Sequence, residues 1–262
     1  MLTILVAYLS CGMLIGLLSG LFGIGGGIIG IPVLLQCFAR QGMPQSVSMH
    51  MASGTMLAVA AVTTLAAIQR HHKNKMILVP LCKEIVPFLV SGSLIGTVMS
   101  SHMNAICLQR IFAAFLLFAA FRIVKCSKEN VRRPESNKAI SPTTTLCIGI
   151  LSGLLGLGGG ILLVPYLHWR GIPLKNAIAT ATVCIVPAAL IGAVSYMMMN
   201  VHADSSIASN TGYIYWPAFF GISVTSMLFA PLGAHLTQKT SVPALKAAFS
   251  ILLIAIAFQL SK

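Results

Sequence analysis

The chain has 262 residues, of which 57% are hydrophobic and only 8% charged, and its mean hydropathy is +0.92. A soluble globular domain has roughly a quarter of its residues charged, so this composition excludes one and indicates a protein of the lipid bilayer. The formal net charge of +13 does not indicate a nucleic-acid partner. The basic residues lie in short loops between apolar stretches, where cytoplasmic retention of Lys and Arg accounts for them.

The first half of the chain begins with a helix-forming apolar stretch and then reaches the segment Gly20 to Pro32, GLFGIGGGIIGIP. Each glycine costs up to about 1 kcal/mol in a helix relative to alanine, so we expect the chain to break or turn there. Glycines at four-residue spacing in the first helix leave a smooth face for another helix; they are Gly12, Gly16 and Gly20. The apolar pattern predicts helices at about 2–18, 28–39, 49–69, 76–99 and 105–124.

The second half repeats this plan. Gly153 to Pro165, GLLGLGGGILLVP, aligns without gaps with Gly20 to Pro32, and helices are predicted at about 143–157, 161–169, 174–199, 212–237 and 243–260. We therefore predict an all-α polytopic membrane protein of two homologous repeats, at residues 1–125 and 142–262, joined by a polar linker at 126–141. Each repeat is expected to hold a glycine-rich broken helix or hairpin and three spanning helices.

The basic residues distinguish two membrane topologies. If the glycine segments only interrupt straight spanning helices, ten of the seventeen basic residues lie inside and six outside. If the chain turns back at the glycines, the halves are inverted and the tally becomes thirteen inside and three outside, with Lys83 within a span. The positive-inside rule favours the second topology, and inverted repeats with broken helices recur among transporters. We expect a cytoplasmic-membrane protein with the linker in the cytoplasm and both termini outside.

A broken helix inside the bilayer exposes backbone N–H groups at a positive helix N-terminus, where an anion can bind without a lysine. The candidate backbone positions are Gly23, Gly25, Gly26 and Gly27 in the first copy and Gly156, Gly158, Gly159 and Gly160 in the second. The alternative is that these glycines only permit a tight turn and close packing. Irregular backbone at this depth must in either case face protein or a water-filled cavity.

Hydroxyl side chains are the second set of candidate anion ligands. Ser19 and Ser152 precede the two glycine segments at matched positions, and further hydroxyls lie near the starts of two corresponding helices: Ser53, Thr55, Thr180 and Thr182. Serine and threonine in membrane helices also bond to their own helix or to a neighbour, so this structural role is the alternative.

Other polar residues are less informative. Glu84, beside Lys83 in an apolar stretch, is a candidate for proton coupling, although a contact near the interface is the alternative. The histidines, among them His50 and His168, show no metal-ligand spacing and are expected to be structural or solvated. The seven cysteines are scattered without a CxxC pair, so we predict no metal site, no disulfide and no cofactor. The GxGxxG match at Gly25 to Gly30 lacks the strand and acidic residue of a dinucleotide site.

The paired segments SGLFGIGGGIIGIPVL and SGLLGLGGGILLVPYL, together with the GIP after Arg170, resemble the TauE/SafE family of sulfite exporters over essentially the full chain. The resemblance implies outward transport of anionic sulfur compounds, such as sulfite or organosulfonates, across the cytoplasmic membrane. It carries over to the serine, glycine and closing proline positions of each copy, the prolines being Pro32 and Pro165. The segment Met49 to Met56, which contains HMASGTM, departs from the alanine, threonine and serine that the family often has there.

Two hypotheses follow. The first is a secondary transporter whose small anionic substrate binds at the two glycine segments; the second is a membrane scaffold or assembly protein without transport, in which the glycines serve packing alone. An enzyme is not predicted, because no nucleophile and base pair or HExxH motif occurs within the apolar stretches. The sequence leaves open the substrate, the direction, the coupling ion and the oligomeric state.

Overall fold

The computed structural model describes residues 2–23, 25–73, 76–126, 140–199 and 209–239. The helices of the first half are α1 (Leu2–Phe22), α2 (Gly27–Arg40), α3 (Gln45–Lys73), α4 (Val79–Ser101) and α5 (Ala105–Cys126). The described part of the second half holds α6 (Pro142–Leu155), α7 (Gly160–Trp169), α8 (Leu174–Met198) and α9 (Trp216–Lys239). The described chain is helical, as predicted, except for one short hairpin.

That hairpin pairs β1 (Asn210–Thr211) with β2 (Ile214–Tyr215) in antiparallel register. The sequence pattern predicted helix from about residue 212, and this boundary is wrong. The chain turns at Gly212, whose φ of 56° is a left-handed conformation, and the Tyr213 N–H donates to the Tyr196 carbonyl of α8 at 3.0 Å. The helix therefore begins only at Trp216. The predicted helix at 243–260 and most of the linker lie outside the described residues.

Five of the described helices are long and apolar enough to cross a bilayer, over Ile4–Phe22, Gln45–Gln69, Val79–Ser101, Leu174–Met198 and Trp216–Leu236. Large apolar side chains are exposed along α1, α4 and α9, among them Leu14 (54% exposed), Val98 (46%) and Leu228 (67%). Exposed apolar side chains of this size and number face lipid in a membrane protein. The fold is that of a polytopic membrane protein.

Helices of the two halves exchange partners. α3 packs against α8 at the centre, α1 packs along α9, and α4 packs along α6. Each of these pairs joins a helix of the first half to a helix of the second. The packing is also equivalent in the two halves, because α9 packs on α3 in the same way that its counterpart α4 packs on α8.

Glycines allow these exchanged pairs to approach closely. A methyl group added at Gly16 of α1 would overlap the carbonyl oxygen of Ser226 in α9, and one added at Gly153 of α6 would overlap the carbonyl oxygen of Ser93 in α4. Gly12 and Gly20 also face α9, so the predicted smooth face of the first helix is confirmed. Such seams hold membrane helices together mainly by van der Waals contact.

Replacing Gly16 by valine should separate α1 from α9. Overpacking costs about 1–3 kcal/mol in well-packed sites, and here the obstructing atom is backbone, which cannot rotate away. We expect a clear fall in the melting temperature of the purified protein in detergent, measured by intrinsic fluorescence. Val6→Ile, which enlarges a side chain that is 56% exposed on the same helix, is the control and should leave the melting temperature unchanged; equal effects would contradict a close α1–α9 seam.

Candidate functional site

The chain leaves helical geometry at both glycine segments, as predicted. We call Gly23 to Gly27 the first glycine turn and Gly156 to Gly160 the second. Three glycines at corresponding positions of each turn have positive φ, between 66° and 85°: Gly23, Gly25 and Gly26, and Gly156, Gly158 and Gly159. Residues with a Cβ adopt this conformation at a cost of about 1–2 kcal/mol each. The helices resume in right-handed geometry at Gly27 and Gly160.

The two glycine turns lie against each other. A Cβ built on Gly25 would be 3.7 Å from the Cα of Gly158, and one built on Gly158 would be 3.8 Å from the Cα of Gly25. Gly27 is in similar contact with the Leu157 backbone. No side chain separates the two turns at these points, so backbone meets backbone.

This meeting point lies deep between the central helices. Both Gly25 and Gly158 face the Ala60 methyl group, with 3.3 Å from a built Cβ in each case. Ala60 is near the middle of α3, whose ends are Gln45 and Lys73, so about 20 Å of helix extends on each side at 1.5 Å per residue. Gly158 also faces Ile185, which is near the middle of α8.

Backbone N–H groups at the meeting point lack acceptors. In the second turn, which is described throughout, no acceptor lies within hydrogen-bonding geometry of the N–H groups of Gly158, Gly159, Gly160 and Ile161. The same holds among the described residues for Gly25, Gly26 and Gly27. Neither helix has a side-chain N-cap, since the residues before α2 and α7 are Gly26 and Gly159. Two uncapped helix N-termini therefore begin side by side, and each is equivalent to roughly half a positive charge.

Three of the predicted hydroxyls are buried without a hydrogen-bond partner. Ser19 and Ser152 are each 1% exposed, Ser53 is fully buried, and none of their Oγ atoms has a partner of acceptable geometry among the residues that the structure describes. The Tyr196 hydroxyl lies close enough to Ser53 for a weak hydrogen-bonding interaction, but the geometry falls short of a hydrogen bond. A buried unsatisfied polar group costs about 1–3 kcal/mol, so three such groups beside one pair of turns require a reason beyond packing.

The three predicted threonines have partners within the protein. Thr182 Oγ1 donates to the Ile178 carbonyl of its own helix at 2.8 Å. Thr55 Oγ1 accepts the Tyr215 N–H at 3.0 Å, and Thr180 Oγ1 accepts the Leu78 N–H at 3.2 Å. The last two bonds tie the segment before α9 to α3 and the segment before α4 to α8.

Each glycine turn lies on a hydroxyl residue of the other half. Gly156 is packed on the Cα and Cβ of Ser53, with built-Cβ distances of 2.5 and 2.7 Å, and Gly23 is packed near Thr182 Oγ1 at 3.0 Å. Gly23 and Gly156 correspond in the repeat, and Ser53 and Thr182 are each nine residues after the prolines Pro44 and Pro173. The structure thus brings the predicted glycines, Ser53 and Thr182 together across the halves.

Glu84 is placed elsewhere. It lies five residues after the start of α4, beside Lys83, and both side chains are exposed. The face of α4 that turns inward carries Cys82, Ile85 and Leu89 instead. Among the described residues, no group of three or more His, Cys, Asp or Glu side chains could hold a metal ion.

Tyr196 was not among the predicted site residues. This α8 side chain is fully buried, and its hydroxyl donates to Ser100 Oγ at 2.7 Å. It also lies 3.3 Å from the carbonyl oxygens of Gly153 and Leu154, in the last turn of α6 before the second glycine turn. A tyrosine near the end of an apolar helix is a usual interfacial residue, so only the fold reveals its inward position.

A broken-helix pair with uncapped N-termini meeting at the centre of a polytopic helical membrane protein is the architecture of a membrane transporter. Comparison with known proteins identifies the family. Residues 8–260 match the family model for the sulfite exporter TauE/SafE, and the chain belongs to this family. It is accordingly a multi-pass membrane transporter and not an enzyme.

Relatives that match this chain over nearly their whole length are named as probable membrane transporters. A "Probable membrane transporter protein" of Haemophilus influenzae is 31% identical over 264 residues, covering 99% of each chain. A protein of the same description from Methanocaldococcus jannaschii is 30% identical over 88% of this chain and 85% of its own, and the Bacillus subtilis protein YunE is 26% identical over 95% and 94%. No solved structure matches the chain.

The unpartnered hydroxyl of Ser53 leads to a prediction that separates it from Thr55. Ser53→Ala removes a buried unsatisfied group and should leave the melting temperature of the ligand-free protein unchanged or slightly raised. Thr55→Val removes the acceptor of the Tyr215 N–H and should cost about 1–3 kcal/mol, because it leaves that donor unpaired. Thermal unfolding of both variants in detergent checks this. Equal destabilisation would mean that Ser53 has a structural partner after all.

Proposed function

We propose that this protein is a secondary transporter of small sulfur-containing anions, such as sulfite or organosulfonates, and that the anion binds where the two glycine turns meet. The observation that carries the proposal is the contact between two uncapped helix N-termini whose N–H groups have no acceptor within the described parts of the chain. The sulfur chemistry of the substrate comes from the family to which the chain belongs.

The geometry suits an anion for an electrostatic reason. Two N-termini of about half a positive charge each repel one another when nothing lies between them. An oxyanion between the two turns attracts both N-termini, which offsets their mutual repulsion, and it accepts hydrogen bonds from N–H groups of both turns. Charge-assisted bonds of this kind contribute about 1.5–3 kcal/mol each. Ser19, Ser53 and Ser152, which have no hydrogen-bond partner among the described residues, supply further donors.

Outward transport needs no large energy source. Moving one negative charge out of a cell with a negative interior is favoured by about 2.3 kcal/mol per 100 mV. We propose export as the direction on this ground and on the family resemblance. A scaffold in which the glycines only pack remains the competing explanation for the glycine turns, and membership of a transporter family argues against it.

We further propose that residues 1–125 and 142–262 are homologous repeats of opposite orientation in the membrane, joined by the 126–141 linker. Matched positive-φ glycines and matched helix pairings support the duplication, and the thirteen-to-three division of basic residues supports the inversion.

The proposed orientation predicts which loops a protease can reach. A cleavage site inserted at Gly171, in the loop between α7 and α8, should be cut in inside-out vesicles only, because this loop is cytoplasmic if the halves are inverted and external if the glycine segments only interrupt straight helices. The same site inserted at Gly42, in the loop between α2 and α3, should be cut in right-side-out vesicles only. Cleavage of both loops from the same side would overturn the inversion.

Two glycines with the same φ angle allow a test of the anion site by substitution. Gly158 and Gly42 both have a φ of 72°, but only Gly158 lies in the site, and Gly42 has no atom within 4 Å of a built Cβ. Gly158→Ala and Gly42→Ala should therefore carry similar backbone strain. The methyl group added at Gly158 would occupy space between the two turns and would move the anion away from the N–H groups of one turn; loss of one charge-assisted bond in this way should lower flux of [³⁵S]sulfite through proteoliposomes by about tenfold or more.

Gly42→Ala should retain flux near the wild-type rate at matched reconstitution. If the two variants transport equally, the glycine turns do not contact substrate. A thermal-shift panel of sulfite, sulfate, thiosulfate and several sulfonates ranks the substrates independently, because specific stabilisation grows with ligand concentration relative to Kd. Absence of any shift and of any flux for the wild type would overturn the transport of sulfur anions.

A further inference from the structure

A buried histidine lies one helical turn from the site. His50 of α3 is 4% exposed, and its Nε2 atom is 2.9 Å from the carbonyl oxygen of Ser100. A carbonyl oxygen can only accept, so Nε2 carries the hydrogen and Nδ1 is the bare acceptor. No hydrogen-bond partner of Nδ1 exists among the described residues. The ring therefore has one free position that can take up a proton.

The groups around this ring are polar but uncharged. Tyr213, from the hairpin before α9, places its ring 5.2 Å from the imidazole at an interplanar angle of 33°. Ser100 and the Met103 backbone approach from α4 and from the turn that follows it, and Tyr196 of α8 approaches through Ser100. The titratable groups that face His50 from these elements are the two phenols, Tyr213 and Tyr196.

His50 is connected to the proposed anion site by two routes. Ser53 is three residues further along α3, on the same helix face, and lies directly against Gly156. The second route runs through Ser100 to the Tyr196 hydroxyl, which lies 3.3 Å from the Gly153 and Leu154 carbonyl oxygens at the entrance to the second glycine turn. Charge on the imidazole therefore acts at the anion site across a short, buried path.

Neither His50 nor Tyr196 has an equivalent in the other half. Taking Pro44 and Pro173 as corresponding positions, the counterpart of His50 is Ala179 and the counterpart of Tyr196 is Ala67. Both alanines are fully buried, so the fold accepts a methyl group at either position. His50 in the first half and Tyr196 in the second half each stand where the other half has an alanine, so the repeat itself does not require either side chain.

We propose that His50 is the protonatable group of the transport cycle, taking up a proton at Nδ1 when the anion binds at the glycine turns. This rests on the proposed function of those turns. The proton comes from water and adds to the Nδ1 lone pair; no bond of the anion is made or broken. The imidazolium and the anion neutralise each other in a buried site where either alone is costly, and by linkage each raises the affinity for the other.

The sign of the pH dependence follows. His is the side chain whose ordinary pKa, about 6.5, lies in the physiological range. Anion affinity should be highest at low pH and should fall as the pH rises through the His50 transition, by up to about tenfold per pH unit for one coupled proton. A sulfonate is the proper probe, because it stays ionised throughout, whereas sulfite itself titrates near neutrality.

The experiment is calorimetric titration of methanesulfonate into the purified full-length protein between pH 5 and 8, in buffers of different ionisation enthalpy. The wild type should bind with net proton uptake and with a Kd that rises with pH. His50→Gln, which keeps an N–H donor for the Ser100 carbonyl, should bind with no proton uptake and a Kd independent of pH. His102→Gln, at an exposed histidine two residues from Ser100, and Glu84→Gln should both behave as the wild type.

Each outcome decides between the two proposals. Binding by the wild type without proton uptake overturns the role of His50 and leaves the anion site standing, and this result requires no variant to fold. Unchanged uptake in His50→Gln, or its loss in Glu84→Gln alone, also overturns it. Absence of methanesulfonate, sulfite and thiosulfate binding at every pH overturns the anion site and the role of His50 with it.

Discussion

The structure depends on one contact, the approach of two glycine backbones at the centre of the membrane domain. Gly27 is so close to Gly156 and Leu157 that a built Cβ would be 2.5 Å from the Gly156 carbonyl oxygen, a separation that no side chain tolerates. The absence of side chains has two consequences at once. It lets the turns meet, and it leaves their N–H groups uncovered. The packing explanation and the binding explanation of the glycines therefore describe the same geometry and do not exclude each other.

This contact also explains why the halves interleave. Each broken helix packs on the central helix of its own half, α2 on α3 and α7 on α8. Here α1 runs along α9 and α6 along α4, which brings the ends of α1 and α6 to the same place. Lipid tails are as apolar as leucine, so the pairing cannot come from hydrophobic burial between helices. The glycine seams at Gly16 and Gly153 supply it through close backbone contact.

The features that could be predicted from the sequence are those in which a residue type has a single structural consequence. Three successive glycines break a helix whatever surrounds them, and a glycine at every fourth position makes a smooth face, so the turns and the α1 seam were predictable. A hydroxyl group can instead bond to its own helix, bond to another segment or remain without a partner. Nothing in the sequence separates Thr55, which accepts the Tyr215 N–H, from Ser53, which has no partner, because the difference lies in a hairpin 160 residues away. His50 was expected to be structural or solvated for the same reason: its bare Nδ1 follows from the position of Ser100.

Symmetry and asymmetry have separate roles in this molecule. The paired glycine turns present nearly the same donors from both halves, so by themselves they give an anion no preference for either side of the membrane. The residues that flank them are not paired. His50 of the first half meets Tyr196 and the Tyr213 hairpin of the second half in one cluster, and the repeat-related positions of His50 and Tyr196 carry the alanines Ala179 and Ala67. If the halves are inverted, exchanging their conformations exchanges the open side, and the two states then differ in energy by what this aromatic and imidazole cluster contributes. In the proposed cycle the symmetric turns therefore bind the anion, and the unpaired side chains around them set the proton affinity.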